Sequence, residues 1–263
     1  MELGTNLRLE LIDDFVNHCG TFPVVEIIAD NWLEEGPHHQ KLAKIREQSD
    51  LLMHCVGMNL AGYDELNFTY LEKLKTLRDA FQPRHLSDHL CVQAHQGVYF
   101  HDLLPFARTK VALDRVVERV DRLQEYFGQE LVIENLVTYV SFDEHEMGEA
   151  EFLAEVVRHA GCKILLDLNN LWINEQNGGA SAKLELEHLP LEAVREIHIA
   201  GGETQGQWLV DTHGRFPATG VLQLCQQQLI REVPVIFERD NNLTSVSDLK
   251  RELGRIDEVI RGE

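Results

Sequence analysis

The sequence predicts a single α/β domain over residues 1–263, folded as a (β/α)8 TIM barrel. Three observations predict it: eight short β-rich runs, helical patterns between them, and a length close to the roughly 250 residues of one such barrel. Several runs are continuously apolar, as is typical of strands buried on both faces. The runs are Thr5–Arg8, Val24–Asp30, Leu51–Val56, His85–Val92, Leu131–Asn135, Lys163–Asn170, Glu196–Gly201 and Val233–Asp240.

Helical patterns, in which apolar residues recur about every 3.6 positions, lie between these runs. Alternating strands and helices favour a parallel sheet, and eight such units close most simply into a barrel. A doubly wound open sheet is the alternative, but no GxGxxG motif follows the first run, which weakens a dinucleotide-binding interpretation. The clearest helical patterns are Asp64–Phe81, Val111–Phe127, Glu144–Ala160 and Leu243–Ile260.

The charge and composition of the chain exclude several classes of partner. The formal net charge is -20 at pH 7, and such a field repels phosphate backbones, so we expect no nucleic acid partner. No apolar run approaches the ~18 residues that a membrane span needs. Residues 1–20 lack the basic segment of a signal peptide, and the five cysteines form no CxxC pair. These features predict a cytoplasmic protein without membrane contact.

Histidines and carboxylates stand where the predicted strands end, and one Asp-x-His pair lies in the loop after the seventh strand. In a TIM barrel, side chains at these ends converge on one mouth. Each residue alone has a structural explanation, but buried charges are costly unless they are paired or bind metal. The set has more ligands than one ion needs, and its mixed N/O donors suit iron, manganese or zinc. The histidines at these positions are His54, His89, His198 and His213, and the carboxylates are Glu26, Asp30, Asp88, Glu134, Asp167, Asp211, Glu238 and Asp240.

Eight short segments also carry a family resemblance, and they occur in one order along nearly the whole chain. They are His54–Leu60, Ser87–Leu90, Asp102–Pro105, Glu134-Asn135, Leu165–Asn170, His198–Gly201, Asp211–Gly214 and Glu238–Asp240. With these segments, the chain resembles the multinuclear non-heme iron-dependent oxidative enzymes, the family that includes the methanobactin biosynthesis iron enzyme. The Asp-Thr-His-Gly and Leu-Leu-Asp-x-Asn-Asn motifs are the most specific parts of the match.

This resemblance implies an iron-dependent oxidoreductase with two or three irons per chain. It implies O2 as cosubstrate in the oxidation of a ribosomally made precursor peptide, often at a cysteine. Family members often work with a small partner protein that recognises the leader segment of the peptide. The resemblance also implies Asn170 and Asn135 as further ligands or as supports of the ligands. The eight metal ligands that it implies are His54, His89, Glu134, Asp167, His198, Asp211, His213 and Glu238.

The eight ligands can be divided among three ions. We expect Glu134 to bridge two irons near the barrel centre. The other ligands then divide into His54 and His89 for one iron, Asp167, His198 and Glu238 for the next, and Asp211 and His213 for a third, more exposed ion.

The sequence departs from the family pattern at four positions. Asp88 stands where Glu is usual, Leu136 where Pro is usual, Asp30 where Glu is usual, and Gly178 where His is usual. The missing His is the best support for an alternative function, a non-catalytic subunit that binds peptide.

Two enzymatic alternatives also remain open, since fold alone does not settle function. One is a non-redox divalent-metal barrel enzyme, such as a sugar isomerase or an endonuclease-IV-like hydrolase. The other is a glycosidase that uses Glu134 and Glu238 as paired carboxylates, which leaves the four histidines unexplained.

Overall fold

Eight parallel strands close into one barrel in the computed structural model, which describes residues 2–227 and 233–262. The predicted TIM barrel is therefore confirmed. The strands are β1 (Glu2–Asn6), β2 (Val24–Ile28), β3 (Asp50–Cys55), β4 (Leu86–His89), β5 (Val92–His95), β6 (Val98–Leu104), β7 (Leu131–Glu134), β8 (Lys163–Asp167), β9 (Val194–Ile199), β10 (Glu203–Gln205), β11 (Trp208–Val210) and β12 (Pro234–Phe237). Two antiparallel hairpins, β5–β6 and β10–β11, stand outside the barrel, and β12 closes it by pairing with β1.

Helices cover the outside of the barrel. They are α1 (Ile12–Asn17), α2 (Pro37–Arg46), α3 (Phe68–Phe81), α4 (Lys110–Phe127), α5 (Glu149–Ala160), α6 (Leu168–Gln176), α7 (Ala182–His188), α8 (Thr219–Gln227) and α9 (Val246–Arg261). Their apolar faces pack on the outer faces of the strands and form the main core with them. Within the described ranges, none of the helices combines the length and apolar character needed to span a bilayer.

Two predicted helices begin too early, because a capping residue interrupts each pattern. The Asp64–Phe81 helix starts only at Phe68, since Asn67 caps it by accepting a hydrogen bond from the Tyr70 N–H at 3.2 Å. The Glu144–Ala160 helix starts one residue after Gly148.

Three of the predicted strand runs differ from the barrel strands for local reasons. The run Lys163–Asn170 is too long, because Asp167 ends β8 and its carboxylate caps the next helix. The run His85–Val92 divides between β4 and the start of a hairpin. The run Thr5–Arg8 lies too late, since the strand that pairs with β12 is Glu2–Asn6. The other five runs match barrel strands whose ends differ by about one to three residues.

The interior of the barrel is divided into an apolar part and a polar part. Val24, Leu52 and Ile236 form a small apolar cluster inside the barrel, separate from the main core. Toward the carboxyl ends of the strands, the buried interior side chains are instead carboxylates and imidazoles, such as Glu134 and His198. The fold thus places buried charged groups at the end where TIM barrels have their active sites.

Candidate metal centre

Five of the eight predicted ligands lie on barrel strands, and Glu238 directly follows β12. Strand register sets them side by side, because His89 of β4 pairs with Glu134 of β7, and Asp167 of β8 pairs with His198 of β9. These side chains are buried or nearly so. The barrel therefore brings residues from five separate strands to one mouth.

The first group of ligand atoms comprises His54, His89 and Glu134. The Nε2 atoms of the two imidazoles lie 3.3 Å apart, and they are 3.3 and 3.2 Å from Glu134 Oε2. His54 Nδ1 lies 2.9 Å from the Ser87 hydroxyl, so a proton on Nδ1 has a partner and leaves the Nε2 lone pair facing the group. Two imidazole nitrogens this close to one carboxylate oxygen fit a shared cation.

A second group comprises Glu134, Asp167 and His198, whose ligand atoms all lie within 4.8 Å of one another. Glu238 extends it, since its Oε2 is 3.1 Å from His198 Nδ1. Glu134 Oε2 and Asp167 Oδ2 are buried but have no hydrogen-bond partner. Such orphaned oxygens are costly in a protein interior unless a bound group satisfies them. Glu134 belongs to both groups, as expected of a bridging ligand.

The remaining predicted ligands, Asp211 and His213, lie in the loop after β11 and form an outer pair. His213 Nε2 is 2.9 Å from Asp211 Oδ2 and 3.8 Å from Glu238 Oε2, so the pair adjoins the second group. Asp240, which the ligand prediction did not include, lies 3.1 Å from His213 Nδ1. It holds the ring from the opposite side, and a hydrogen bond from its N–H to His213 O fixes the loop.

The two asparagines have different surroundings. Asn135 bonds both backbone groups of Asp167, since its Oδ1 accepts from the N–H at 2.9 Å and its Nδ2 donates to the carbonyl at 3.0 Å. Because both polar atoms of the Asn135 amide are hydrogen-bonded, Asn135 supports the end of β8. Asn170 donates from Nδ2 to Asn135 O at 3.0 Å, whereas its buried Oδ1 has no partner and is available as a ligand.

Electrostatics also favour a cation at this mouth. Burial raises the pKa of Glu134 well above its ordinary value, and burial followed by the Glu238 charge raises the pKa of Asp167 to about 7. Burial and the neighbouring imidazoles lower the pKa of His54 well below its ordinary value. Burial alone would raise the pKa of Glu238, but His198 and His213 hold it below its usual range. A metal ion would relieve the cost of ionising these carboxyls.

The donor set fits a non-heme metal on its chemistry as well as its position. It offers imidazole nitrogens and carboxylate oxygens but no thiolate, a combination that suits iron, manganese or zinc. The orphaned buried atoms on Glu134, Asp167 and Asn170 are the observation that most calls for bound metal.

Three buried or half-buried residues beneath the centre were missing from the ligand prediction: His85, Glu26 and Glu196. Glu196 lies 3.4 Å from His198, at the contact of Glu196 Oε1 with His198 Nε2. A signal existed in the sequence, because residues two apart on a strand share a face, so Glu196 had to face the barrel interior with His198. Glu26 could be found in the same way from the alternation within β2.

A cavity of about 470 Å³ opens onto the centre, and it combines polar ligands with apolar walls. Its floor includes Glu134, His89 and His213, and Tyr139 stands at its edge, where its hydroxyl accepts a hydrogen bond from the Asp211 N–H at 2.9 Å. Polar groups that converge beside apolar walls are typical of a ligand site. The remaining apolar wall comes from Leu103, Leu104, Pro105, Leu136, Val137, Val140 and Val210.

A second cavity of about 380 Å³ lies beside the first, and the two share Tyr139 and Val140. It contains Glu149, whose Oε1 accepts a hydrogen bond from the Leu136 N–H at 3.0 Å. Burial raises the pKa of Glu149 from the ordinary 4.5 to about 7, even though Arg108 and the Leu136 N–H act to lower it. Gly178, one of the four positions that depart from the pattern described for the sequence, also lines this cavity.

Glu149→Gln is expected to flatten the pH dependence of stability between pH 5 and pH 8. A carboxyl with a raised pKa keeps its proton in the folded state while the unfolded chain loses it, so its contribution falls as pH rises from 4.5 to about 7. Glutamine keeps the acceptor oxygen but does not titrate, so on the order of 3 kcal/mol of this decline should disappear. Urea unfolding of the wild type and the variant at pH 5 and at pH 8 measures this decline in the free energy of unfolding. Equal declines in wild type and variant would contradict the assignment.

The fold and the site define the chain as a TIM-barrel enzyme, and comparison with known proteins agrees with this class. The family described as RiPP precursor modification enzyme MbnB/TglH/ChrH matches residues 2–261, and the chain belongs to this family. The resemblance seen in the sequence is thereby confirmed, and the family description supports modification of a ribosomally synthesised peptide.

Relatives in other bacteria match almost the whole chain. A UPF0276 protein of Acaryochloris marina is 37% identical over 256 residues, which cover 97% of this chain and 93% of the relative. A UPF0276 protein of Acinetobacter baylyi is 36% identical over 259 residues, which cover 97% of this chain and 89% of the relative.

Solved structures with the same architecture are more distant. Endonuclease IV from Thermus thermophilus superposes with a TM-score of 0.66 at 15% identity, and the match covers 100% of both chains. A D-psicose 3-epimerase gives a TM-score of 0.60 at 15% identity, covering 100% of this chain and 96% of its own. At this identity the likeness shows the fold alone.

Proposed function

We propose that this chain is an iron-dependent oxidoreductase that uses O2 to modify a ribosomally synthesised precursor peptide at a cysteine. The observation that carries the proposal is the sharing of Glu134 between two groups of buried ligands at the mouth of a substrate-sized cavity. Two groups of buried candidate ligands that share one carboxylate support a centre of more than one metal ion, as in the multinuclear iron family. We include in the proposal a small partner protein that recognises the leader segment, and a cytoplasmic location.

The proposal keeps the division of ligands among three ions that we expected from the sequence. His54 and His89 would hold one iron together with Glu134, and Asp167, His198 and Glu238 would hold the next. Asp211 and His213 would hold a third, nearer the opening. Ferrous iron with open coordination positions supplies binding and activation of O2.

The protein residues around the cavity would select and orient the peptide. The apolar wall formed by Leu104, Pro105, Leu136 and Val210 suits a small neutral side chain such as a cysteine thiol. The formal net charge of -20 on the whole chain would disfavour a strongly acidic peptide. Tyr139 fixes the backbone of Asp211 and so helps to hold the outer pair in place.

Intact-mass spectrometry of coexpressed peptides tests the reaction. The chain would be expressed with the short cysteine-containing peptides encoded beside its gene, and with any small protein encoded there. We expect one peptide to change mass in air, in iron-replete cells, and to stay unchanged when its cysteine is replaced by alanine. Peptides that stay unmodified with active-site residues intact, or a change independent of cysteine and O2, would count against the proposal.

A further inference from the structure

Charged side chains continue below the metal centre along the barrel axis, where TIM barrels usually pack layers of branched apolar residues. Glu26 of β2 is 1% exposed, and Glu196 and His198 of β9 are 0% exposed. His85, which directly precedes β4, closes the series at the amino-terminal end of that strand. We call these four residues the axial column. Buried charges are costly unless they are paired or bind metal, so we expect the axial column to have a structural or functional role.

His198 is the upper member of the axial column, and its two nitrogens face different neighbours. Nδ1 lies 3.1 Å from Glu238 Oε2 and 3.9 Å from Glu134 Oε1, on the side of the metal centre. Nε2 lies 3.2 Å from Glu26 Oε2 and 3.4 Å from Glu196 Oε1. The second oxygen of Glu196, Oε2, is 2.7 Å from His85 Nε2. The column therefore links the centre to the lower end of the barrel.

The chemistry of imidazole restricts what the column can do. A neutral imidazole that coordinates a metal through Nδ1 carries its proton on Nε2, so Nε2 becomes a donor that needs an acceptor. The atoms His198 Nε2, Glu196 Oε1 and Glu26 Oε1 are all buried without a hydrogen-bond partner. A small rotation of the ring toward Glu196 satisfies two of these three atoms at once. Glu196 is the better-held acceptor, because His85 anchors its other oxygen.

We propose that Glu196, anchored by His85, is a positioning residue that accepts the Nε2–H of His198 and thereby directs Nδ1 at the metal centre. Glu26 supports the same ring from the neighbouring side. The inference rests on the proposed function in that His198 must be a metal ligand. Carboxylates that hold a ligating histidine in this way fix both its tautomer and its orientation.

The competing explanation is a separate cation held by the column itself, because atoms of Glu26, Glu196 and His198 lie within 4.8 Å of one another. That arrangement would use Nε2 as a ligand. A single imidazole that also serves the upper centre through Nδ1 would then have to lose both ring protons, which is why we favour the positioning role.

Titration of the metal-free protein with Co²⁺ tests the positioning role, since the absorption of bound Co²⁺ reports its ligand field. We expect Glu196→Ala to weaken Co²⁺ binding about 10–100-fold and to shift the spectrum. Glu196→Gln should recover most of both, because the amide oxygen still accepts from Nε2. His85→Gln, which removes only the anchor, should give an intermediate spectrum. Arg84→Gln is the matched control, since it removes the ion pairs with Glu2 and Asp50 next to the column.

Each outcome decides between the explanations, with circular dichroism confirming that the variants fold. Wild-type affinity and spectrum in folded Glu196→Ala and His85→Gln would overturn the positioning role. Loss of one Co²⁺ per chain with an unchanged spectrum of the rest would overturn it in favour of a cation in the column. A wild-type chain that binds neither Co²⁺ nor iron would instead remove the proposed function, and the inference with it.

Discussion

Glu134→Ala should empty both buried ligand groups and abolish peptide modification, which is the largest functional effect we expect from one substitution. Its carboxylate lies within 3.3 Å of His54 and 3.2 Å of His89, and within 3.9 Å of His198. The loss should exceed the roughly 10–100-fold that removal of a supporting partner costs. Metal analysis of the purified variant, together with peptide mass spectrometry, measures both effects.

Glu149→Gln is the matched control for that substitution. Glu149 is also a carboxylate of the mouth region with a raised pKa, but it bonds the Leu136 backbone and belongs to none of the ligand groups. It should retain the full metal content. A Glu134→Ala chain that kept its metal and its activity would show that the shared carboxylate is not a ligand.

Gly201→Ala should have the largest effect on the fold among the substitutions considered. Gly201 lies two residues after the end of β9 and packs against the chain segment that follows the outer pair, Asp211 and His213. A methyl group there would meet the backbone carbonyls of Arg215 and Phe216 far inside contact distance. Backbone cannot yield as a flexible side chain does, so we expect a loss of about 3 kcal/mol or more in the free energy of unfolding. The displaced loop should also weaken binding of the third ion that we propose for Asp211 and His213.

Gly254→Ala separates this clash from a general effect of replacing glycine. Gly254 lies in α9, and an added methyl group there meets nothing within 4 Å. We expect it to be neutral or to stabilise the protein by up to about 1 kcal/mol, since alanine favours helix. Urea unfolding and metal analysis of both variants give the comparison. Equal stability of the two would contradict the close packing at Gly201.

Much of this architecture could be predicted from the sequence, because buried parallel strands leave long apolar runs. The run before Asp167 and the run Leu131–Asn135 are examples, and both place a carboxylate at the end of a barrel strand. The two hairpins were not among the predicted strands, and the first residue of one of them was included in a predicted barrel strand. Val92 ends the apolar segment Leu90–Val92 that follows β4, yet it belongs to a hairpin, since nothing in local sequence fixes which partner a short strand takes.

The candidate ligands followed from strand ends, whereas the supporting residues did not. Glu196 lies in the middle of a strand and His85 before one, so their contact across 111 residues depends on how the barrel closes. Asp240 lies at a strand end but became a partner of His213 only through the left-handed backbone of His213, which turns the loop back toward β12. The alternation within β9 indicates that Glu196 faces the barrel interior, but these contacts depend on long-range register, which has no local signal in one sequence.

The central claim is a multinuclear iron centre, and its most direct test is the metal content and Mössbauer spectrum of protein purified without oxygen. We expect two or three irons per chain, with coupled ferrous signals that change when air is admitted. Zinc or manganese without iron would point to a non-redox barrel enzyme. A chain that holds no metal even after reconstitution with ferrous iron would contradict the account and favour a peptide-binding subunit.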